Sequence, residues 1–339
     1  MKLKEPVKNI DFEKRIFAAS PVNFGELAID VFRYQYEQNE VYKQYCDLLH
    51  ANPDNVDSLK KIPFLPISFF KTHEVKTGLF DAEDIFESSG TTGATTSKHF
   101  IKDLDLYKKS FSKGFEKFYG STTSKCIIGL LPSYLERKHS SLVMMVEELI
   151  RTSEHQLSGF YLYDHEKLHR TIMHNEIKKT TTLLIGVTWA LLDFAEKYPM
   201  QLRHTIVMET GGMKGRREEL TRQQVHEILE KQLGLSLIHS EYGMTELLSQ
   251  AYSKGDGIFH CPPWMKVLLR DEDDPLNVFN VDEDDKQVSG VINIIDLANI
   301  HSCSFIATDD MGKLYRNGSF EVLGRVDMSD VRGCSLMVV

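Results

Sequence analysis

The chain has 339 residues, enough for one large domain or two ordinary ones, and its 42% hydrophobic and 26% charged residues are the proportions of an ordinary globular protein. A formal net charge of −9 with no long Lys/Arg cluster argues against a general nucleic-acid binder. Met1 to Phe12 has no apolar signal-peptide core, Leu183 to Leu192 is too short to span a bilayer, and five irregularly spaced cysteines fit reduced thiols, so a cytoplasmic protein without membrane insertion is expected.

Residues 20–50 read as helical: Phe24, Leu27, Ala28, Val31, Phe32 and Tyr34 recur near helical spacing, and Tyr42, Tyr45, Leu48 and Leu49 continue after a break. Pro63 and Pro66 then force extended backbone. Leu104 to Tyr119 is a helix, with Asp103 or Asp105 near its start and Gly120 past its end. Cys126 to Leu131 is a continuous apolar run, as in a strand buried on both faces, followed by Pro132 to Arg137 and a helix from Ser140 to Ile150. The pattern repeats with strands at Thr182–Val187, His204–Met208 and Leu235–His239, and helices at Trp189–Lys197 and Arg217–Leu233. Such alternation predicts an α/β fold with a parallel, helix-flanked sheet, whose ligands gather at the carboxyl ends of the strands. After residue 255, shorter strands are expected at Lys266–Leu269, Gly290–Ile295 and Ser304–Ala307, with Asp271 to Asp285 a solvated acidic loop.

The stretch from Glu87 to Lys98, Glu-Ser-Ser-Gly-Thr-Thr-Gly-Ala-Thr-Thr-Ser-Lys, combines hydroxyls, two glycines and a lysine. Free backbone N–H groups, hydroxyl donors and a mobile cation suit a polyphosphate, and glycine permits close approach. It is not a Walker loop, because Thr95 stands five residues after Gly90 and no Gly-Lys-Ser/Thr follows. A flexible connector is the competing reading of such composition. Asp84-Ile85-Phe86 and His99-Phe100-Ile101 read as strands on either side, which favours a hairpin bearing a phosphate loop. Further on, Ser240-Glu241-Tyr242-Gly243-Met244-Thr245-Glu246 follows a predicted strand. Tyr242 there suits base stacking, Gly243 close approach, Thr245 a phosphate contact and Glu246 a Mg²⁺ ion, although a glutamate after a turn is more often a helix N-terminal carboxylate.

The loop Ser88–Lys98, Gly211-Gly212, Tyr242-Gly243-Met244-Thr245-Glu246, Thr308-Asp309-Asp310 and Gly324-Arg325-Val326-Asp327 follow one another in the order of the motifs of the adenylate-forming superfamily, which the chain resembles from about residue 60 to 333. Leu131 to Arg137 with Ser140 to Val143 is similar to the LuxE-like acyl-protein synthetases, with phenylacetate-CoA ligases as the nearer outgroup.

The resemblance implies an ATP- and Mg²⁺-dependent ligase that activates a carboxylic, fatty acid as acyl-adenylate and transfers the acyl group to a thiol. It implies that Ser88, Ser89, Gly90, Thr91, Thr92, Gly93 and Lys98 wrap the ATP phosphates, and that Gly211 and Gly212 line the adenine pocket with Tyr242 stacked on the base. Glu241 and Gly243 belong to the same cofactor-binding motif. Thr245 would contact the α-phosphate, Glu246 the metal, Asp310 the ribose hydroxyls and Arg325 the ribose beside the hinge residue Asp327. Asp309 stands where the family has glycine, an extra carboxylate expected to weaken nucleotide binding.

The family pattern adds a C-terminal domain after the hinge, whereas only Met328 to Val339 follow Asp327 here. The expected organisation is therefore an N-terminal helical segment over 1–75, an adenylate-forming core over 76–327 and a short tail over 328–339. LuxE-like proteins pass the acyl group to a cysteine near the C-terminus, a role that falls on Cys334; a buried apolar thiol is the competing reading. Possible partners are an acyl reductase subunit or an acyl carrier protein. A stand-alone acyl-CoA ligase and a non-catalytic nucleotide- or acyl-binding subunit are the alternatives. Zinc at His260-Cys261 with His301 and Cys303 is disfavoured, because adjacent strand residues face opposite sides. His139 reads as a surface-loop histidine, and Met144, Met145 and Trp189 as core rather than an acyl pocket.

Overall fold

The computed structural model describes residues 11–88, 95–131, 139–212, 220–281 and 285–326. They form helices α1 (Phe12–Phe17), α2 (Phe24–Gln38), α3 (Glu40–Leu48), α4 (Phe69–Thr72), α5 (Leu104–Tyr119), α6 (Ser141–Ser153), α7 (His165–Lys178), α8 (Thr188–Lys197) and α9 (Arg222–Leu233). The strands are β1 (Leu65–Pro66), β2 (Asp84–Glu87), β3 (Lys98–Ile101), β4 (Cys126–Leu130), β5 (Gly159–Phe160), β6 (Thr182–Gly186), β7 (Thr205–Glu209), β8 (His239–Tyr242), β9 (Ala251–Ser253), β10 (Phe259–His260), β11 (Met265–Arg270), β12 (Val278–Phe279), β13 (Gln287–Asp296), β14 (Phe305–Tyr315) and β15 (Phe320–Arg325). The chain divides into two compact units, one of Met1–Ser110, Thr245–Ser249 and Cys261–Gly318, the other of Phe111–Met244, Gln250–His260 and Ser319–Val339.

In the first unit, strands β12-β11-β13-β14 pair antiparallel in that order, and β1 runs parallel to β14. Helix α2 presents Leu27, Ala28, Val31, Phe32 and Gln35 as its buried stripe. Phe32 and Tyr42 pack on Phe305 of β14, with ring centroids 6.4 and 6.0 Å away. Gln35, although polar, is fully buried because each end of its amide is used: Nε2 donates to the carbonyls of Asn299 and Ile300, and Oε1 accepts from Ser304 N–H. The hairpin β2–β3 pairs Asp84 with Ile101 and Glu87 with Lys98, as the two strand-like triplets flanking the loop suggested.

In the second unit, β5-β4-β6-β7-β8 pair in parallel, in that order. Strands β4 and β6 are buried at every position, hence their unbroken apolar sequence. The order β8-β9-β10-β15 then continues antiparallel. The alternating α/β reading is thus correct for this unit, while β5, β9, β10 and β15, two to six residues long, gave no period to detect. One strand falls later than expected. Gly234 caps α9 in the left-handed conformation, and pairing with β7 begins only at His239, opposite Met208. Glu241 and Tyr242 therefore lie within a strand rather than in a turn after it. Helix α9 begins at Arg222, where Thr221 and Gln224 form a capping box.

Asp296, at the end of β13, is fully buried and accepts from Leu248 N–H, Ser249 N–H, Ser249 Oγ–H and Ala298 N–H at 2.6–3.2 Å. Burial raises its pKa, and these donors oppose the shift. Asp296→Ala leaves them unsatisfied and is expected to destabilise the protein by about 3 kcal/mol, with Asp296→Asn losing less because its carbonyl still accepts; denaturant midpoints measure both.

Candidate functional site

The candidate phosphate loop is closed at its neck by two hydrogen bonds across the hairpin, Ser88 N–H to Ser97 O at 3.1 Å and Ser97 N–H to Ser88 Oγ at 2.9 Å. Lys98 is half-exposed, its Nζ 3.9 Å from Glu87, a loose surface pair that leaves the cation available to a stronger anion. Ser89, Gly90, Thr91, Thr92 and Gly93 lie outside the described residues.

His99, the next residue, is buried and reaches Thr245-Glu246, which belong to the same unit. Its Nδ1 lies 2.8 Å from the Thr245 carbonyl and its Nε2 2.9 Å from Asn299 Oδ1. Asn299 in turn donates to the carbonyls of Glu246 and Cys303 at 2.8 and 2.9 Å. The strand leaving the loop and the Thr245-Glu246 segment are therefore held by one buried polar network. Both neighbours of the imidazole are acceptors, so protonation would satisfy both, but burial outweighs them and lowers the pKa to about 4. Glu246 is 4% exposed, and Asp296 anchors the backbone two and three residues beyond it.

Thr308-Asp309-Asp310 lies within β14. Val291 pairs with Met311 and Asn293 with Ala307, so three residues of β14 stand opposite Ile292 alone. The backbone groups this bulge frees are taken up locally. Arg270 donates from Nη2 to Thr308 O at 2.6 Å and from Nη1 to Ile292 O at 3.1 Å. The Thr308 hydroxyl donates to Ile292 O and accepts from Asp310 N–H. Asp309 projects to solvent, and Asp310 is half-buried.

In the second unit, Gly211 and Gly212 follow β7 with φ of +73° and +90°, where a side chain would be strained, and among the described residues no non-neighbouring atom lies within 4 Å of where a Cβ would stand on either. The open backbone surface suits a flat ligand. Beneath it, Glu209 is buried; it accepts from Gly211 N–H at 2.6 Å and Thr188 Oγ–H at 3.1 Å, and stands 3.7 Å from both Arg222 Nε and His226 Nε2. Burial would raise its pKa, but His226, Arg222, Ser240 and the Gly211 N–H together hold it down at about 2. Glu241 has the opposite fate: burial and the charge on Glu209 push it up to about 8, so at neutral pH it is protonated and can donate. Ser240 Oγ and Glu209 both face the same nitrogen of His226, which excludes a Ser-His-Glu nucleophilic triad.

Tyr242 is 9% exposed, its ring packed against Phe259 and Phe320 at 5.8 and 5.5 Å. Gly243 is exposed, and a Cβ there would stand 2.4 Å from Glu241 Oε1, so glycine leaves that carboxyl its place. Arg325 ends β15 and is exposed. Asp327 and Cys334 lie outside the described residues, as do Pro132 to Arg137. Ser88, Lys98, Thr245, Glu246 and Asp310 thus belong to one unit, and Gly211, Gly212, Glu241, Tyr242, Gly243 and Arg325 to the other. His260 is exposed and Cys261 partly buried, and no group of three His, Cys, Asp or Glu disposed to hold a metal occurs among the described residues.

Residue-type reading missed His99, Asp296, Asn299, Glu209, Arg222 and His226. Two carried a usable signal: Glu209 and Asp296 are lone carboxylates at the ends of apolar strand runs, where an unpaired charge is too costly to be incidental.

His99 binds a proton more weakly folded than unfolded, so its contribution to stability is complete above pH 6.5 and is lost as pH falls towards 4. Between pH 7 and 5 this amounts to about 2 kcal/mol, from roughly 1.4 kcal/mol per pH unit below 6.5. His99→Gln is expected to remove that share of the acid destabilisation, measured as the difference in unfolding free energy between the two pH values.

No protein-family model matches the chain. It is 23% identical over 338 residues to the long-chain-fatty-acid–luciferin-component ligase of Aliivibrio fischeri, an alignment covering 92% of this chain and 86% of that one. Among solved structures, a 2-hydroxyisobutyryl-CoA ligase in the postadenylation state with R3-HIB-AMP superposes with a TM-score of 0.61 at 11% identity, over 98% of this chain and 74% of that one. ATP-bound MatB from Rhodopseudomonas palustris gives 0.52 at 16% identity over 71% of this chain, which spans about half the length of MatB, 47%. No helix among the described residues is long and apolar enough to cross a membrane. The chain is thus similar along almost its whole length to a long-chain-fatty-acid–luciferin-component ligase and has the fold of the adenylate-forming enzymes.

Proposed function

We propose that this protein is an ATP-dependent ligase that activates a long-chain fatty acid and passes the acyl group to a thiol. The observation that carries the reading is the buried network joining the strand after the hydroxyl-rich loop to Thr245-Glu246 through His99 and Asn299. It ties the backbone next to a lysine to that of a threonine and a carboxylate, groups that a nucleotidyl transfer can use. Similarity to a fatty-acid ligase over 92% of the chain supplies the substrate class.

In the first step a carboxylate oxygen attacks the α-phosphorus of ATP, the bond from phosphorus to the bridging oxygen breaks, and pyrophosphate leaves with that electron pair. Lys98, half-exposed and only loosely paired, neutralises charge on the phosphates, and Thr245 orients the α-phosphate. A divalent cation that arrives with the nucleotide needs only one or two carboxylates from the protein, and Glu246, buried on an anchored backbone, fits that demand. Mg²⁺ held there would offset negative charge on the phosphates. Gly211 and Gly212 offer backbone surface to adenine, with Tyr242 assigned to stack on the base and Glu241 and Gly243 flanking it in its own motif. Asp310 and Arg325 are assigned to the ribose.

In the second step a thiolate attacks the acyl carbon, the carbon–oxygen bond to AMP breaks, and a thioester forms. We assign the thiol to Cys334, from which an acyl reductase or carrier partner would take the acyl group.

Glu246→Ala is expected to abolish fatty-acid-dependent ATP–pyrophosphate exchange, and unchanged exchange would remove that carboxylate from the reaction. Cys334→Ser should retain exchange while losing covalent labelling by radioactive fatty acid; equal labelling of wild type and variant would assign the thiol elsewhere.

A further inference from the structure

The first unit contains a cleft of about 480 Å³ that none of the motif residues lines. Its lining is mixed: Val56, Ile62 and Phe64, each at most 5% exposed, contribute apolar atoms at its back, and Leu276, 62% exposed, contributes the open apolar side chain. Lys60 and Lys61 stand among the lining residues. Lys61 is occupied by Asp57 at 2.9 Å, while Lys60 has no ion-pair partner among the described residues. The polar floor is Asn293, fully buried, with Oδ1 taken by Arg270 Nη1 at 2.7 Å and Nδ2 without a hydrogen-bond partner. A buried amide donor left unused costs on the order of 1–3 kcal/mol, a cost that an acceptor brought by a ligand would relieve. The acidic turn that contributes Leu276 opposes an anion less than its composition suggests. Asp271 accepts from the N–H groups of Asp273 and Asp274, and Asp274 from that of Leu276, so two of the turn's four carboxylates are turned onto their own backbone, while Glu272 and Asp273 are exposed.

We propose that this cleft is a second binding site, for the anion of an alkyl carboxylic acid, its tail against Val56, Ile62, Phe64 and Leu276 and its carboxylate drawn to Lys60. The volume is that of a small-molecule site, and the pairing of apolar wall, free cation and unused donor selects an amphiphilic acceptor rather than a neutral hydrocarbon or a cation. The site is connected to the bulge in β14: Arg270, which holds Asn293, also donates to Thr308 O. Occupancy that draws on Asn293 therefore acts on the residue that fixes the backbone beside Asp310.

Occupancy of the site is tested without the proposed activity. Full-length protein is photolabelled with a diazirine-bearing decanoate and the labelled peptides are mapped by mass spectrometry, with pyrophosphate exchange measured separately on the same samples. Labels are expected within residues 45–64 and 275–278, competed by decanoate but not by decyltrimethylammonium, and weakened about tenfold or more in Lys60→Glu and in Leu276→Asp, both exposed positions. Glu246→Ala should label these peptides as the wild type does. Labels confined to other peptides, equal competition by the cationic amphiphile, or full labelling in Lys60→Glu would overturn the proposal, whatever the exchange assay reads.

Discussion

The interaction on which the candidate site depends is the seating of one imidazole, His99, between the carbonyl of Thr245 and the side chain of Asn299. Nearly 150 residues of chain separate the hairpin from Thr245, and a loop that grips phosphate is useful only if the groups completing the chemistry stay in register with it. A hydrogen-bonded network in a dry interior meets that need better than apolar contact, because slippage leaves donors and acceptors stranded. Asp296 extends the same logic by taking the N–H groups of Leu248 and Ser249, so the segment after Glu246 is held by its backbone. The cost is a polar interior that must be satisfied at every member. Burial keeps His99 neutral at physiological pH although both its neighbours ask for a proton.

The second unit solves a different problem. Its parallel strands β6, β7 and β8 end at Gly186, Glu209 and Tyr242, and the positive-φ glycines Gly211 and Gly212 follow β7, where such sheets expose their ligand surface. Two glutamates nearby are driven apart in acidity: Glu209 is held ionised by a ring of donors, and Glu241 is kept protonated by burial and by the charge of Glu209. One carboxylate thus supports the turn carrying Gly211, while the other presents an O–H near Gly243. Such a division between otherwise similar side chains arises from surroundings alone, and is seldom maintained where it has no use.

What could be read from the sequence was what is local. The hydroxyl-rich loop between two strand-like triplets pointed to the β2–β3 hairpin, the apolar runs to β4 and β6, helical spacing over 20–50 to α2 and α3, and the flanking Asp and Gly to both ends of α5. Placement of β8 failed because a run of apolar residues after Gly234 resembles a strand, whereas pairing with β7 is a long-range choice. The motif residues were legible through order and composition. The side chains that support them were not, since His99, Asn299 and Arg270 draw their roles from partners dozens to hundreds of residues away. Cys334 and the centre of the phosphate loop rest on sequence alone.

The bulge at Thr308-Asp309-Asp310 also bears on how this region can change through evolution. Beyond it, Gly312 and Leu314 are buried while Lys313 and Tyr315 lie nearer the surface, an alternation that fixes which face of β14 meets the core. Loss of a single codon within the bulge would turn Leu314 outward and Lys313 inward, while loss of two would keep the facing and erase the protrusion. Descendants of this chain should therefore hold the number of residues in the bulge constant.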